Sequence, residues 1–171
     1  SVCKNNETTM AAILGLDDTF VNSVCDNISN VVPANYNCPG QIVISGSKSS
    51  IDKACKSLKE IGGKTIVLPV GGAFHSSYME SAKKELEDAI KSLKFNKPDK
   101  PIYQNFDANP HIDIEKIKKN LINQLTSPVL WTQTINKLIA DDYKSFIECG
   151  PGRVLQGLVK KINRDMDVSS I

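Results

Sequence analysis

Three side chains that do much of protein chemistry are scarce in this sequence. Of its 171 residues only Arg153 and Arg164 are arginine, only His75 and His111 are histidine, and Trp131 is the single tryptophan. The five cysteines (Cys3, Cys25, Cys38, Cys55, Cys149) are odd in number and contain no Cys-x-x-Cys pair. That excludes a disulfide framework and a zinc site built from sequence-local ligands, makes free thiols in a reducing compartment the default, and leaves each cysteine expected as a buried small hydrophobe. No apolar run approaches the ~20 residues that cross a bilayer, so no membrane span is expected. Lys+Arg total 21 against 19 Asp+Glu, a net charge of +2 that gives no support for nucleic-acid binding. A hydrophobic content of 40% excludes a disordered chain, and the lack of any period excludes repeat architectures. Neither a Gly-x-Ser-x-Gly nucleophile elbow nor a phosphate-binding Gly-rich loop occurs, since Gly46-Ser47-Lys48-Ser49-Ser50 lacks the spacing.

The first seventy residues alternate in pattern. Met10 to Leu16 reads as a strand ended by Gly15 and followed by an Asp17-Asp18 helix start. Phe20, Val21, Val24, Cys25 and Ile28 recur at helical spacing. Val31 to Asn35 and Gln41 to Ser45 read as strands around an Asn37-Cys38-Pro39-Gly40 turn, the second stopped by Gly46. Ile51, Ala54, Cys55, Leu58 and Ile61 mark a second helix closed by Gly62-Gly63, and Thr65 to Val70 a fourth strand. The β-α-β-β-α-β order is that of a ferredoxin-like split unit over residues 10–70, which sets the fold class as α/β.

Beyond Gly71-Gly72 the pattern changes. Met79, Ala82, Leu86, Ile90 and Leu93 trace a longer helix, and Pro101 to Phe106 a strand. Ile114, Ile117, Leu121 and Leu125 mark a helix capped by Asp113. A further helix is expected from Ser127-Pro128, with Trp131, Ile135, Leu138 and Ile139 inward. Ser145 to Cys149 reads as a short strand, and Gly150-Pro151-Gly152 turns into a last helix bearing Val154, Leu155, Leu158 and Ile162. Two isolated strands rarely sustain a domain, so their partners are expected in residues outside this chain. The first residues, Ser-Val-Cys-Lys-Asn-Asn-Glu, match neither a signal nor a transit peptide and lack an initiating Met. The chain is expected to begin within something longer.

His111 follows Asn109-Pro110 and is expected as a solvated loop residue. His75 lies between Gly71-Gly72-Ala73-Phe74 and Ser76-Ser77, where small residues allow a ligand to approach the backbone. The residues alone leave it open between a satisfied structural histidine and a general base. A base needs an acceptor that fixes its tautomer. The helix carrying Leu121 and Leu125 must end near Thr126, where its last carbonyls are unpaired and its dipole is negative, so the main-chain carbonyl of Gln124 is available. Lys116, Lys118, Lys119, Lys160 and Lys161 form either a solvated face or a docking surface for an acidic partner.

Five stretches together resemble the malonyl-CoA:acyl-carrier-protein transacylase family: MAAILGLDD from Met10, ANYNCPGQIVISG from Ala34, VGGAFHSSYM from Val70, QLTSPVLWTQTI from Gln124 and FIECGPGRVLQGLVKKI from Phe146. The resemblance runs from Met10 to Ile162 with the segments in family order. It implies a ferredoxin-like subdomain inserted in an α/β-hydrolase-like large domain, whose C-terminal part would be residues 71–171. It also implies malonyl transfer from coenzyme A to the phosphopantetheine thiol of acyl carrier protein through a seryl ester, without metal or redox cofactor.

In that family's pattern His75 matches the catalytic base and Gln124 the residue whose main-chain carbonyl orients it. Asn35, Asn37 and Gln41 match a loop near the entering thioester. Phe74 matches a position where phenylalanine accompanies malonyl and serine methylmalonyl. Cys38 and Gly71 depart from more usual serines, and the family's nucleophilic serine and malonyl-binding arginine match nothing in this chain, so the chain alone is expected to be inactive. A polyketide synthase acyltransferase domain is the close alternative, and a non-catalytic ferredoxin-like binding module the distant one. Nineteen of the 21 basic residues are lysine, and asparagine is abundant. That bias fits an AT-rich genome, either an apicomplexan one with a plastid (apicoplast) enzyme or a bacterial one with a cytoplasmic enzyme.

Overall fold

In a computed structural model the chain is described over residues 7–171. Strand β1 (Thr8–Leu14) leads into α1 (Asp18–Asp26), then β2 (Val31–Cys38), β3 (Gln41–Ser47), α2 (Lys48–Glu60) and β4 (Lys64–Val67). These strands make one antiparallel sheet in the order β2-β3-β1-β4. Period-two alternation explains the two faces of this sheet. Ala11, Ile13, Ile42 and Ile44 point toward Val21 and Cys25 of α1 and Ile51, Ala54, Cys55 and Leu58 of α2, closing the main core. Their neighbours Met10, Ala12 and Val43 point the other way, against Ala34, Leu68 and Val70.

Turn chemistry sets the boundaries of this half. Cys38 pairs directly with Gln41, so the expected four-residue turn contracts to Pro39-Gly40. Proline fits the first central position of a type II turn, and Gly40 at φ +73° the second. Gly46 does not stop β3. It is paired with both Thr9 and Val31, and a Cβ there would collide with the Asn30 carbonyl oxygen and lie 2.8 Å from the Val31 Cα. Strand β3 therefore runs through that position only because no side chain is present. Strand β4 stops at Val67, two residues short of Pro69, which has no N–H to give a ladder. The expected caps are found at Asp113, whose carboxylate accepts the Lys116 N–H at 2.8 Å, and at Gly62, left-handed at φ +95° after α2.

The remaining elements are a 3-10 turn (Ser77–Met79), α3 (Glu80–Ser92), β5 (Ile102–Gln104), β6 (Asn109–His111), α4 (Ile114–Gln124), α5 (Trp131–Ala140), β7 (Ser145–Glu148), α6 (Val154–Ile162) and β8 (Asp167–Ser170). Two strands were not expected from the sequence. Strand β6 pairs antiparallel with β5, and β8 pairs parallel with β7, so each expected strand has one partner within this chain. The helix expected from Ser127 begins instead at Trp131. The segment before it stays extended because Val129 bonds the edge of β2: its N–H donates to Ala34 O at 2.8 Å, and Tyr36 N–H donates to its carbonyl at 2.9 Å. Thr132 Oγ1 adds a bond to Tyr36 O at 3.0 Å. A helical turn at Val129 would lose both backbone bonds. This seam ties the end of α4 to the four-stranded sheet. Among the described residues no helix is long and apolar enough to cross a membrane.

Candidate active site

His75 lies in the loop that leaves β4, just before the 3-10 turn. Leu68 N–H donates to Met10 O at 2.9 Å, anchoring the loop's start to the sheet. Its end is closed by Ser76, a buried residue whose hydroxyl donates to Ala73 O at 2.6 Å and accepts the Tyr78 N–H at 3.3 Å. Between these two bonds His75 is held left-handed at φ +58°, a conformation few side chains adopt and one that surrounding structure must impose.

The ring of His75 meets the carbonyl oxygen of Gln124, the last residue of α4, with Nδ1 at 3.0 Å. A carbonyl only accepts, so Nδ1 carries the hydrogen, and in the neutral ring Nε2 is left as the basic nitrogen. The glutamine side chain is also occupied: its Nε2 donates to Ser127 O at 2.9 Å and to Pro128 O at 3.0 Å. Nothing in the local sequence signals this second use of Gln124. Phe74, just before the histidine, is 37% exposed.

Asn35, Asn37 and Gln41 lie on strands, not on a loop, because the β2–β3 connection is only two residues long. Asn35 bridges Val129, five residues beyond Gln124. Gln41 lies apart from the histidine's hydrogen bonds: its Oε1 accepts from Lys161 at 3.2 Å and from the Cys38 thiol at 3.8 Å. Thiol chemistry is disfavoured at the buried cysteines. Burial, aided by Asp26, pushes Cys25 up to about 12, and burial raises Cys38 and Cys55 as well. Cys149 is exposed, contrary to expectation, because it lies just past the end of β7, in the turn before α6; Cys3 lies outside the described residues.

Of Lys116, Lys118, Lys119, Lys160 and Lys161, four have polar partners, Lys161 through Gln41. Lys118 pairs with Glu115 and lies over the Phe95 ring, Lys116 reaches Asp107 at 3.3 Å, and Lys160 donates to Arg164 O. A cavity of about 420 Å³ adjoins Gln124 and is lined by Phe95, Tyr103, Asn105 and Leu121. One of about 670 Å³, against Leu93, Phe95 and Ile114, includes neither His75 nor Gln124, so volume alone does not mark the chemistry.

The sequence profile of the acyl transferase domain family matches residues 3–171. The chain belongs to this acyl transferase family. Among its acyl transferase relatives, the malonyl CoA-acyl carrier protein transacylase of Bacillus subtilis is 43% identical over 170 residues, covering 96% of this chain and 54% of that protein. That of Staphylococcus aureus is 42% identical over 168 residues, with 95% and 54% covered. The solved transacylase of Xanthomonas oryzae superposes with a TM-score of 0.94 at 37% identity, covering 99% of this chain and 55% of that one. A malonyl-transacylase solved with its type II polyketide acyl-carrier protein gives 0.92 at 31% identity, with 97% and 55% covered. The chain spans about half the length of the curated relatives it matches.

The second histidine of this acyl transferase chain is structural. His111 lies on β6, not in a loop, and its Nε2 donates to the Asp107 carboxylate at 2.9 Å. The same carboxylate accepts from buried Asn120 at 3.1 Å. Burial alone would raise the Asp107 carboxyl, but the bonds from His111 and Asn120 outweigh it and hold the group below its ordinary 3.8. A carboxyl lowered on folding stabilises the fold above its unfolded pKa and loses that contribution as pH falls through the lowered folded value. Stability is therefore expected to decline from about pH 5 downward, and Asp107→Asn to flatten that part of the curve, as read from urea midpoints at stepped pH. A variant with the wild-type slope would contradict this reading.

Proposed function

We propose that this chain carries the histidine part of the active site of a malonyl-CoA:acyl-carrier-protein S-malonyltransferase. In this reading residues 10–70 are the ferredoxin-like small subdomain, and residues 71–171 the C-terminal part of an α/β-hydrolase-like large domain. The carrying observation is the 3.0 Å bond from His75 Nδ1 to the Gln124 carbonyl. Family membership and similarity to transacylases support the reaction class.

The nucleophilic serine, and an arginine for the malonyl carboxylate, would come from residues that the relatives carry beyond the matched stretch. His75 Nε2 takes the serine hydroxyl proton as the oxygen attacks the thioester carbonyl. Collapse of the tetrahedral intermediate breaks the C–S bond, and the proton passes from Nε2 to the coenzyme A sulfur. In the second half Nε2 takes the proton of the carrier's phosphopantetheine thiol, the sulfur attacks the seryl ester, the C–O bond breaks and the serine oxygen is reprotonated. Gln124 O stabilises the transient imidazolium from the other side of the ring, as an aspartate does in a hydrolase triad. The scheme uses no metal and no redox cofactor, and malonyl-CoA enters as substrate. Without the serine the chain alone is inactive.

Phe74 closes the space where an α-methyl group would lie, which favours malonyl over methylmalonyl. Asn35, Asn37 and Gln41 serve the approach of the thioester from the β2–β3 edge. The transacylase solved with a polyketide carrier protein favours, as a second reading, the same chemistry in polyketide synthesis. Location in an apicoplast, or in the cytoplasm of an AT-rich bacterium, rests on the lysine bias.

The test uses the chain joined to the residues its relatives carry beyond the match. His75→Ala is expected to lower malonyl transfer by about 10²–10⁴-fold, measured as carrier-protein malonylation; near-wild-type turnover would overturn the assignment. Phe74→Ser is expected to shift the malonyl-to-methylmalonyl preference by about 1–3 kcal/mol, read from the ratio of kcat/KM values. An unchanged ratio would remove Phe74 from selectivity.

A further inference from the structure

We propose that the side-chain amide of Gln124 is a positioning group for His75, acting by fixing the peptide whose oxygen holds the ring. Any residue at the end of α4 has a main-chain carbonyl, so the acceptor by itself does not require glutamine. Two features of the chain make that carbonyl hard to hold in place. The last carbonyls of a helix have no intrahelical partner, and the next residues include Pro128, which supplies no backbone donor. Among the described residues, Gln124 O receives only a long bond from the Ser127 N–H, at 3.4 Å, besides the ring of His75.

The amide compensates at this point. Its two N–H groups go to Ser127 O at 2.9 Å and Pro128 O at 3.0 Å, closing a compact loop over the helix end. One residue later Val129 is clamped to β2 by bonds of 2.8 and 2.9 Å. The peptide that faces His75 is thus held between its own side chain and the sheet. Methionine would match the length of glutamine but donate nothing. Glutamate would match its shape and set an oxygen against two carbonyls. On the His75 side, the left-handed turn leaves the ring little freedom to follow a carbonyl that moves. The geometry does not depend on the proposed function, but its catalytic consequence rests on it.

The test compares wild type with Gln124→Met and Gln124→Glu in the protein completed with its relatives' additional residues. In histidine-labelled samples, solvent exchange of the His75 Nδ1–H is expected to quicken at least about tenfold in both variants. The His111 ring N–H, held by Asp107, is the internal reference. For malonyl transfer, kcat is expected to fall about 10–100-fold with KM near wild type. His75→Ala combined with Gln124→Met is expected to cost no more than His75→Ala alone, because the amide acts through the ring. Wild-type exchange with kcat within about twofold overturns the proposal, as does a loss in the double variant that multiplies the single ones. If neither variant folds, the amide serves the fold as a whole and the proposal is likewise overturned. If the wild-type protein transfers no malonyl, the reaction assignment fails, and the exchange measurement still decides the positioning role.

Discussion

The hydrogen bond between the His75 ring and the Gln124 carbonyl joins two segments that lie 49 residues apart in the chain. One is a strained loop leaving the edge of a four-stranded sheet. The other is the C-terminal end of a helix in the second half of the chain. A neutral imidazole has one donor and one acceptor, and committing the donor to a peptide oxygen decides which nitrogen faces outward. The helix end supplies both an unpaired oxygen and a partly negative field, the two properties a carboxylate offers in a hydrolase triad, without the desolvation cost of a buried charge.

Much of the surrounding structure holds the two ends of that bond in place. Ser76 fixes the His75 turn by bonding to Ala73 and Tyr78. Val129 fixes the segment after Gln124 by joining the β2 edge, which also places Asn35 beside that segment. The main core of Ile13, Ile42, Ile44, Ile51 and Leu58 makes β2 a rigid support, since β2 pairs with β3 along its length and β3 lies centrally in the sheet. A displacement of β2 would move Val129, and with it the Gln124 peptide.

The sequence made some of this legible and hid the rest for definite reasons. The β-α-β-β-α-β succession was readable because its strands are short apolar runs bounded by Gly, Pro or cap residues and its helices carry a clear apolar stripe. That Gln124 O is available as an acceptor was readable from the rule that helix ends leave carbonyls unpaired, whereas its pairing with His75 was suggested only by the family resemblance. Strands β6 and β8 were not, because Asn109-Pro110-His111 and Asp167–Ser170 are short and mostly polar, and Pro110 argues against a strand. Ser127-Pro128 carries the local signature of a helix start, and only the distant β2 edge keeps Val129 extended. His111 read as a loop residue because its partner Asp107 precedes a left-handed Ala108 that folds the hairpin back. In each case the deciding interaction is long-range, or reverses the chain at a position with no glycine.

The most direct measurement is the ¹⁵N spectrum of the neutral form of the His75 ring in the folded wild-type protein. Donation from the ring to Gln124 O requires the shift of a protonated nitrogen at Nδ1 and of a bare one at Nε2. A ring protonated at Nε2 and bare at Nδ1 could neither donate to Gln124 O nor accept a proton from a nucleophile, and would contradict it.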